Sequence, residues 1–328
     1  MKYHQLMEAD IQYLQDIVGA AGIIHGSAIS ESYSHDEMKI YGDHLPDVVV
    51  KPSTAQQVSE IMKYANLRRI PVTPRGSGTG LCGGCVPIYG GILLTTEGIN
   101  KIIEIDGQTL SATVEPGVLL MDLISETSKA GYLYAPDPGE KSATIGGNVM
   151  TNAGGMRAVK HGVTRDYVLG IEVVLPTGEI ELLGGKVAKN SSGYSLKDLM
   201  IGSEGTLGIV TKIIVKLLPK PNEMLSLLVP FNSIEEALDC VLEVLKKSYI
   251  PTTCEFMERD VLIDSEDFLG REFPDNKHNA YLIVSYTGDD EKALKSIVDD
   301  VVKTLFDQGA IDVLLSNTLE RQGELWTS

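Results

Sequence analysis

Between Pro74 and Pro87 the sequence reads PRGSGTGLCGGCVP, which sets Gly76, Gly78, Gly80, Gly83 and Gly84 beside Arg75 and Thr79. Glycine at this density forfeits packing and backbone entropy inside a helix or strand, so the stretch is a loop. A loop bare of side chains lets consecutive backbone N–H groups converge on one anion, and Arg75 and Thr79 add a charge and a hydroxyl. The chemistry this suits is the holding of a phosphate. Gly78, Gly80 and Gly83 also satisfy G-x-G-x-x-G, with Glu97 at about the distance of a ribose-binding acid. That match misleads: a Rossmann fingerprint must open a helix, and Pro87, Gly90 and Gly91 forbid one after Gly83. No Gly-Lys-Ser/Thr follows, so a Walker A loop is excluded as well. Taken alone, the stretch reads equally well as a surface loop without a ligand.

Residues 135–166, APDPGEKSATIGGNVMTNAGGMRAVKHGVTRD, form the second informative stretch. So long a segment with little periodicity is unusual inside a compact domain unless it holds a ligand. Gly146, Gly147, Ala153, Gly154 and Gly155 let a flat ring system lie against bare backbone, and Thr144, Asn148, Thr151 and Asn152 offer hydrogen bonds to its polar edge. A tightly packed turn region is the plain alternative. Cys82 and Cys85 make C-x-x-C, but Cys240 and Cys254 complete no zinc pattern and no histidine has finger-like spacing to them. These cysteines read as small side chains in a tight loop, with no metal site.

The elements that must position these loops follow from a chain of 328 residues, long enough for two domains, with 43% hydrophobic and 22% charged residues. Lys plus Arg number 28 against 45 Asp plus Glu, a net charge of −17 that repels nucleic acid and anionic membranes. No apolar run reaches the length of a membrane span and the first residues show no secretory signal, so the expected location is cytoplasmic. Ile11, Leu14 and Val18 predict a helix over 8–18. A strand at 47–50, a helix capped by Thr54 and carrying Val58, Ile61, Met62 and Ala65, and a strand at 70–73 lead into the glycine loop. Short strands, a helix over 118–130 and a hairpin around Pro176-Thr177-Gly178 follow; IVTKIIVKLLP predicts a half-buried strand over 209–217. Pro219 and Pro221 mark a domain boundary. Beyond it the order β-α-β-β-α-β predicts a ferredoxin-like unit. Its first helix should bear Ile234, Ala237, Leu238, Val241 and Leu245 on one face, with Ser233 and Glu236 as a capping box, and residues 260–279 should form a loop or short helix. The expected division is 1–43, an N-terminal helical segment; 44–221, the domain holding both glycine-rich stretches; and 222–328, the ferredoxin-like domain.

The ordered set PRGSGTGL, PDPG, TIGGNVMTNAGG, GVTRD and GSEGTLGIVT resembles the flavoprotein family of FAD-linked D-lactate dehydrogenases and the glycolate oxidase catalytic subunit, and it covers nearly the whole chain. The resemblance implies an α+β fold: a two-lobed FAD-binding domain of the vanillyl-alcohol oxidase or p-cresol methylhydroxylase type, then a ferredoxin-like substrate (cap) domain. It puts the FAD pyrophosphate on Arg75, Gly76, Ser77, Gly78, Thr79, Gly80 and Leu81. It puts Asp137, Gly139, Thr144, Gly147, Thr151, Asn152, Ala153 and Gly154 along the flavin and ribityl chain, and Ile209 near the adenine. Some relatives attach FAD covalently through a histidine in the phosphate loop, where this chain has Ser77 and Thr79, so non-covalent FAD is expected.

The implied activity is oxidation of a 2-hydroxy acid, D-lactate or glycolate, to the 2-oxo acid. An electron-accepting partner is implied with it, such as an electron-transfer flavoprotein or the subunits of a complex. In such enzymes the carboxylate-binding arginine and the acid/base histidines follow an E-x-L-W type segment, whereas this chain ends Glu324-Leu325-Trp326-Thr327-Ser328. The expectation is therefore of an incomplete ferredoxin-like domain, with the catalytic residues and any metal unassigned. His161 reads as a packing or flavin-edge residue rather than a base, and Arg157 and Lys160 are its cationic neighbours. Two other readings stand beside this one: a non-catalytic flavin-binding or electron-relay subunit, and a related FAD oxidase acting on another substrate.

Overall fold

In a computed structural model, which describes residues 3–270 and 272–316, the chain divides into two units. The larger comprises 1–154 and 163–219, and the smaller 155–162 and 220–328. The N-terminal 43 residues are thus part of the larger unit.

The larger unit opens with α1 (Glu8–Val18), β1 (Ile23–His25), β2 (Val48–Val50), α2 (Ala55–Arg68), β3 (Val72–Arg75) and β4 (Ile92–Thr95). Thr54 Oγ1 accepts the Gln57 N–H (3.2 Å) and caps α2 as its sequence predicts. The four strands lie in the order β1-β2-β4-β3, with β2, β4 and β3 parallel. β2 and β4 are buried along their whole length, the pattern of strands covered on both faces. Leu14, Val58 and Ile61 from the helices close this core over Val48, Val50, Ile92 and Leu94. The expected strand at 70–73 starts two residues later, so its last residue is Arg75, at the mouth of the glycine loop.

Asp10 fixes α1 to α2. Fully buried, its carboxylate accepts from Tyr64 Oη (2.5 Å), Arg68 Nε (3.2 Å) and the Met7 N–H (2.8 Å). Burial alone would raise its pKa, but the bonds from Tyr64, Met7 and His4 and the Arg68 charge outweigh it and hold the carboxyl well below the usual carboxylate range. A depressed folded-state pKa contributes stability above the unfolded value, near 4, that is lost as pH falls toward the folded value. Asp10→Asn is expected to cost about 2 kcal/mol in urea unfolding at neutral pH, a gap that narrows in acid. A gap independent of pH would show that the charge of Asp10 contributes nothing.

The second half of this unit contains β5 (Ile102–Asp106), β6 (Ser111–Val114), α3 (Leu120–Lys129), β7 (Tyr132–Leu133) and α4 (Ile145–Thr151). After α5 (Ala158–His161), which belongs to the smaller unit, come β8 (Val168–Val174), β9 (Ile180–Gly184), α6 (Leu196–Met200), β10 (Ile209–Lys216) and β11 (Leu218–Pro219). An antiparallel sheet runs β5-β6-β10-β8-β9. β10 is central and is not half-exposed: only Lys212 and Lys216 escape full burial. A register shift between Val210 and Lys212 breaks the alternation. Val210, Ile213 and Val215 join one core with α3, while Ile209 and Val174 join that of the first sheet. The segment 135–166 is not an unbroken loop either. α4 forms in it against the propensity of two glycines: Thr144 caps it, Ile145 and Val149 bury fully, and at Gly146 a Cβ would fall 2.6 Å from the Pro116 Cβ, so only glycine fits there.

The smaller unit contains α5 and then β12 (Glu223–Phe231), α7 (Ile234–Leu245), β13 (Thr253–Glu258), α8 (Arg259–Leu269), β14 (Ala280–Gly288), α9 (Glu291–Asp307) and β15 (Leu314–Ser316). The antiparallel order β13-β14-β12-β15 is ferredoxin-like. α7 and α9 cover one face over Leu227, Val229, Leu282 and Val284. Ser233 Oγ caps α7 at the Glu236 N–H (3.2 Å), but the reciprocal half of the box is not made, and Glu236 Oε2 is buried without a partner among the described residues. The core face of α7 is Ala237, Cys240 and Val244; Ile234, Leu238 and Leu245, expected on it, are exposed. The segment 324–326 lies outside the described residues. Among those, no helix is long and apolar enough to cross a membrane.

Candidate functional site

In the larger unit a cleft of about 560 Å³ opens between the loop after β3, α4 and the start of β10. Arg75 stands at its rim but does not offer its charge freely. The residue is 7% exposed, and its guanidinium donates to the carbonyls of His35 (Nη1, 2.8 Å) and Ser32 (Nη2, 2.8 Å) and to Cys85 Sγ (3.3 Å). The same N-terminal segment grips the loop twice more. Asp36 Oδ2 accepts the Gly83 N–H (2.6 Å) and the Glu37 N–H donates to the Gly80 carbonyl (3.1 Å). Gly78, at φ +84°, packs its α-carbon against the guanidinium. Between these anchors the N–H groups of Ser77, Gly78, Thr79, Gly80 and Leu81 find no hydrogen-bond partner among the described residues. A Cβ at Gly80 would meet nothing within 4 Å. The loop is a held frame with its amides left open.

The opposite wall is α4 and the turn after it. Thr144 Oγ1 accepts the Gly147 N–H (3.1 Å), Thr151 Oγ1 donates to the Gly147 carbonyl (2.9 Å), and Asn152, in the left-handed region at φ +50°, accepts the Arg165 N–H (3.0 Å). Those three polar side chains serve the protein. Asn148 does not: it is 5% exposed, it lines the cleft, and its Nδ2 has no partner among the described residues. A buried amide donor left unpaired costs on the order of 1–3 kcal/mol, which a ligand acceptor would recover.

Of the residues named from the sequence, Arg75 to Leu81, Thr144, Gly147, Thr151, Asn152, Ala153, Gly154 and Ile209 all line the cleft. Asp137 and Gly139 do not; the carboxylate of the first accepts the N–H of the second (3.3 Å) in a turn whose Pro138 and Glu140 do line it. Glu97 stands outside, paired with Lys51 (2.6 Å) and accepting from Tyr33 Oη (3.0 Å). Its carboxyl is desolvated, but these partners hold it below the ordinary range. Glu204 and Gly205, in the GSEGTLG segment but unassigned from the sequence, line the cleft too. Glu204, at φ +52°, lies against Gly84, and Gly205 against Pro74. Apart from Arg75, the charged lining residues are Glu37, Glu140 and Glu204. With Arg75 engaged, no lining side chain among the described residues offers a free cation, so an anion held here would rest on amide dipoles. Cys82 and Cys85 are free thiols, and burial pushes the Cys85 thiol up despite the Arg75 charge.

The smaller unit has a polar cluster of its own. Lys160, on α5, donates to Thr287 Oγ1 (3.1 Å) and Thr252 Oγ1 (3.4 Å), and burial lowers its pKa. His161 and Arg157, from the same segment, do not line the cleft.

Residues 46–184 match the family described as FAD binding domain, and 220–328 the FAD linked oxidases, C-terminal domain. The chain is 43% identical over 330 residues to a D-lactate dehydrogenase of Anaerostipes hadrus, covering 99% of this chain and 69% of that protein. It is 46% identical over 237 residues to the glycolate oxidase subunit GlcD of Bacillus subtilis, covering 72% of this chain and 50% of that one. The fold is that of alkyldihydroxyacetonephosphate synthase (TM-score 0.82, 20% identity, all of this chain and 64% of that one). It is also that of p-cresol methylhydroxylase (TM-score 0.78, 18% identity, 96% and 67%). The chain spans half to about two-thirds of the length of these proteins.

Proposed function

Because the chain belongs to the FAD-linked oxidase family, we propose that it holds FAD non-covalently in this cleft and oxidises a 2-hydroxy acid, D-lactate or glycolate, to the 2-oxo acid. The observation that carries the cofactor assignment is the run of open amides from Ser77 to Leu81 facing a wall whose buried Asn148 Nδ2 is unpaired. That donor set fits a pyrophosphate at one end and the polar edge of a flat ring at the other. The amides of Ser77 to Leu81 would hold the pyrophosphate, and Asn148 would donate to the ring. Gly147, Ala153 and Gly154 would give it bare backbone, and Ile209 and Val210 an apolar wall. Bound FAD supplies the acceptor for the hydride from the hydroxyl-bearing carbon, because the redox chemistry is the cofactor's.

The names of the two relatives support the substrate class. The relative named as a subunit favours an assembly in which an electron-accepting partner takes the electrons. Four free thiols suit a reducing, cytoplasmic setting.

Purified protein is expected to be yellow and to release its flavin into the supernatant on acid precipitation, there being no histidine among the cleft-lining residues. Under anaerobic conditions D-lactate or glycolate is expected to bleach the bound flavin and L-lactate to leave it coloured. Flavin that stays with the precipitate refutes non-covalent binding, and flavin that no 2-hydroxy acid bleaches refutes the substrate class.

A further inference from the structure

We infer that Cys82 and Cys85 form a reversible disulfide that switches the cleft between a form that takes FAD and one that does not; the inference rests on the assignment of FAD to this cleft. Both cysteines are free thiols and both line it, Cys82 exposed and Cys85 half-buried. Only Gly83 and Gly84 separate them. The chain bends through 81–83 and turns at 84–85, where the Val86 N–H donates to the Gly83 carbonyl (3.0 Å). The two cysteines are thereby folded toward each other with no side chain between them. Gly83, at φ +76°, permits that bend. A C-x-x-C pair on an exposed loop gives a labile, regulatory disulfide rather than a structural one.

The oxidant is a peroxide. Cys82, the exposed thiol, meets it first. Its thiolate breaks the O–O bond, takes one oxygen as a sulfenic acid and releases hydroxide. The Cys85 sulfur then displaces a second hydroxide from the Cys82 sulfur, and the S–S bond forms. The two thiol protons turn both hydroxides into water, so two thiols are oxidised as one peroxide is reduced. Burial pushes the Cys85 thiol up, which suits it to the second step. Closure displaces the cradle. Cys85 Sγ accepts from Arg75 Nη1 (3.3 Å), so drawing it toward Cys82 removes one of the three bonds that hold that guanidinium. Drawing Cys82 toward Cys85 instead pulls on Leu81, the last residue of the run of open amides. Gly83 absorbs neither movement, because Asp36 Oδ2 pins its N–H (2.6 Å) and the Tyr41 ring packs on it.

The full chain, stripped of flavin, reduced and then treated with hydrogen peroxide, tests this. Trypsin, cutting after Arg75 and Lys101, releases both cysteines in one peptide, 76–101. After oxidation that peptide should be lighter by two hydrogens and take up no alkylating agent, while Cys240 and Cys254 are still alkylated once the chain is unfolded. FAD affinity, read by fluorescence titration, should fall at least about tenfold on oxidation and recover with dithiothreitol. Cys82→Ser, whatever its own affinity, should show no such change. A peptide that keeps its hydrogens overturns the inference, as does a disulfide that involves Cys240 or Cys254 instead. So does an affinity indifferent to oxidation, or a Cys82→Ser variant that still responds. A reduced wild-type chain that binds no FAD refutes the cofactor reading itself, and the switch with it.

Discussion

Gly78→Val is expected to abolish FAD binding, and the cause is a neighbour inside the protein. Gly78 sits at φ +84°, where a β-branched residue is strained, and a Cβ there would fall 2.0 Å from Arg75 Nη2. The side chain can be accommodated only if the guanidinium leaves the carbonyls of Ser32 and His35 or the loop changes course. Either way the segment from Ser77 to Leu81, whose amides are open, is displaced. A fluorescence titration with FAD should show affinity reduced by more than about 100-fold, given strain and lost hydrogen bonds of a few kcal/mol. The α-helical circular dichroism of α7 and α9, in a separate unit, should persist. Wild-type affinity in the valine variant would show that the loop is not the cradle. Gly80→Ala makes the internal comparison: with open space at its Cβ, any loss there comes from the ligand's side of the loop.

The second large effect separates charge from geometry at Arg75. The resemblance assigns this residue to the pyrophosphate, yet its donors are engaged with two carbonyls and a thiol. If its role is to tie the segment 32–37 to the loop, lysine cannot replace it, because one ammonium lacks the planar fork that reaches both carbonyls. Arg75→Lys should then behave almost like Arg75→Ala, each costing on the order of 3 kcal/mol of stability and at least about tenfold in FAD affinity. If instead a positive charge near the phosphates is what matters, the lysine variant keeps most of the binding and only alanine loses it. That outcome, read by thermal unfolding beside FAD titration, would return Arg75 to the phosphate.

The difference at Arg75 marks where the sequence stops being legible. Glycine density announced a bare loop, and the amides of 77–81 are open as that reasoning requires. Thr54, Ser233 and the helix over 8–18 were readable because capping and a 3.6-residue period are local signals. The carbonyls that hold Arg75 come from residues 32 and 35, some forty positions upstream and in a segment of short irregular turns. No local pattern points to them. α4 was hidden for a related reason: Gly146 and Gly147 argue against a helix, and the close approach of Pro116 that requires glycine at 146 comes from some thirty positions upstream. In β10 register shifts between Val210 and Lys212 and between Ile214 and Val215 cancelled the alternation that would have shown which faces are buried. The faces of α7 were mixed because a helix with two apolar stripes gives a periodicity that cannot say which stripe is inside.

The assignment of Gly155–Gly162 to the smaller unit has a kinetic side. α5 reaches its partners across long stretches of chain: Lys160 meets Thr252 and Thr287 at separations of 92 and 127 residues. Closing a loop of that length costs about 4 kcal/mol of chain entropy before any contact repays it. The strands β12 to β15, with short connections among themselves, can pair without waiting for it. α5 is therefore expected to dock after the rate-limiting barrier, so that Lys160→Met should speed unfolding in stopped-flow measurements and leave the folding rate unchanged.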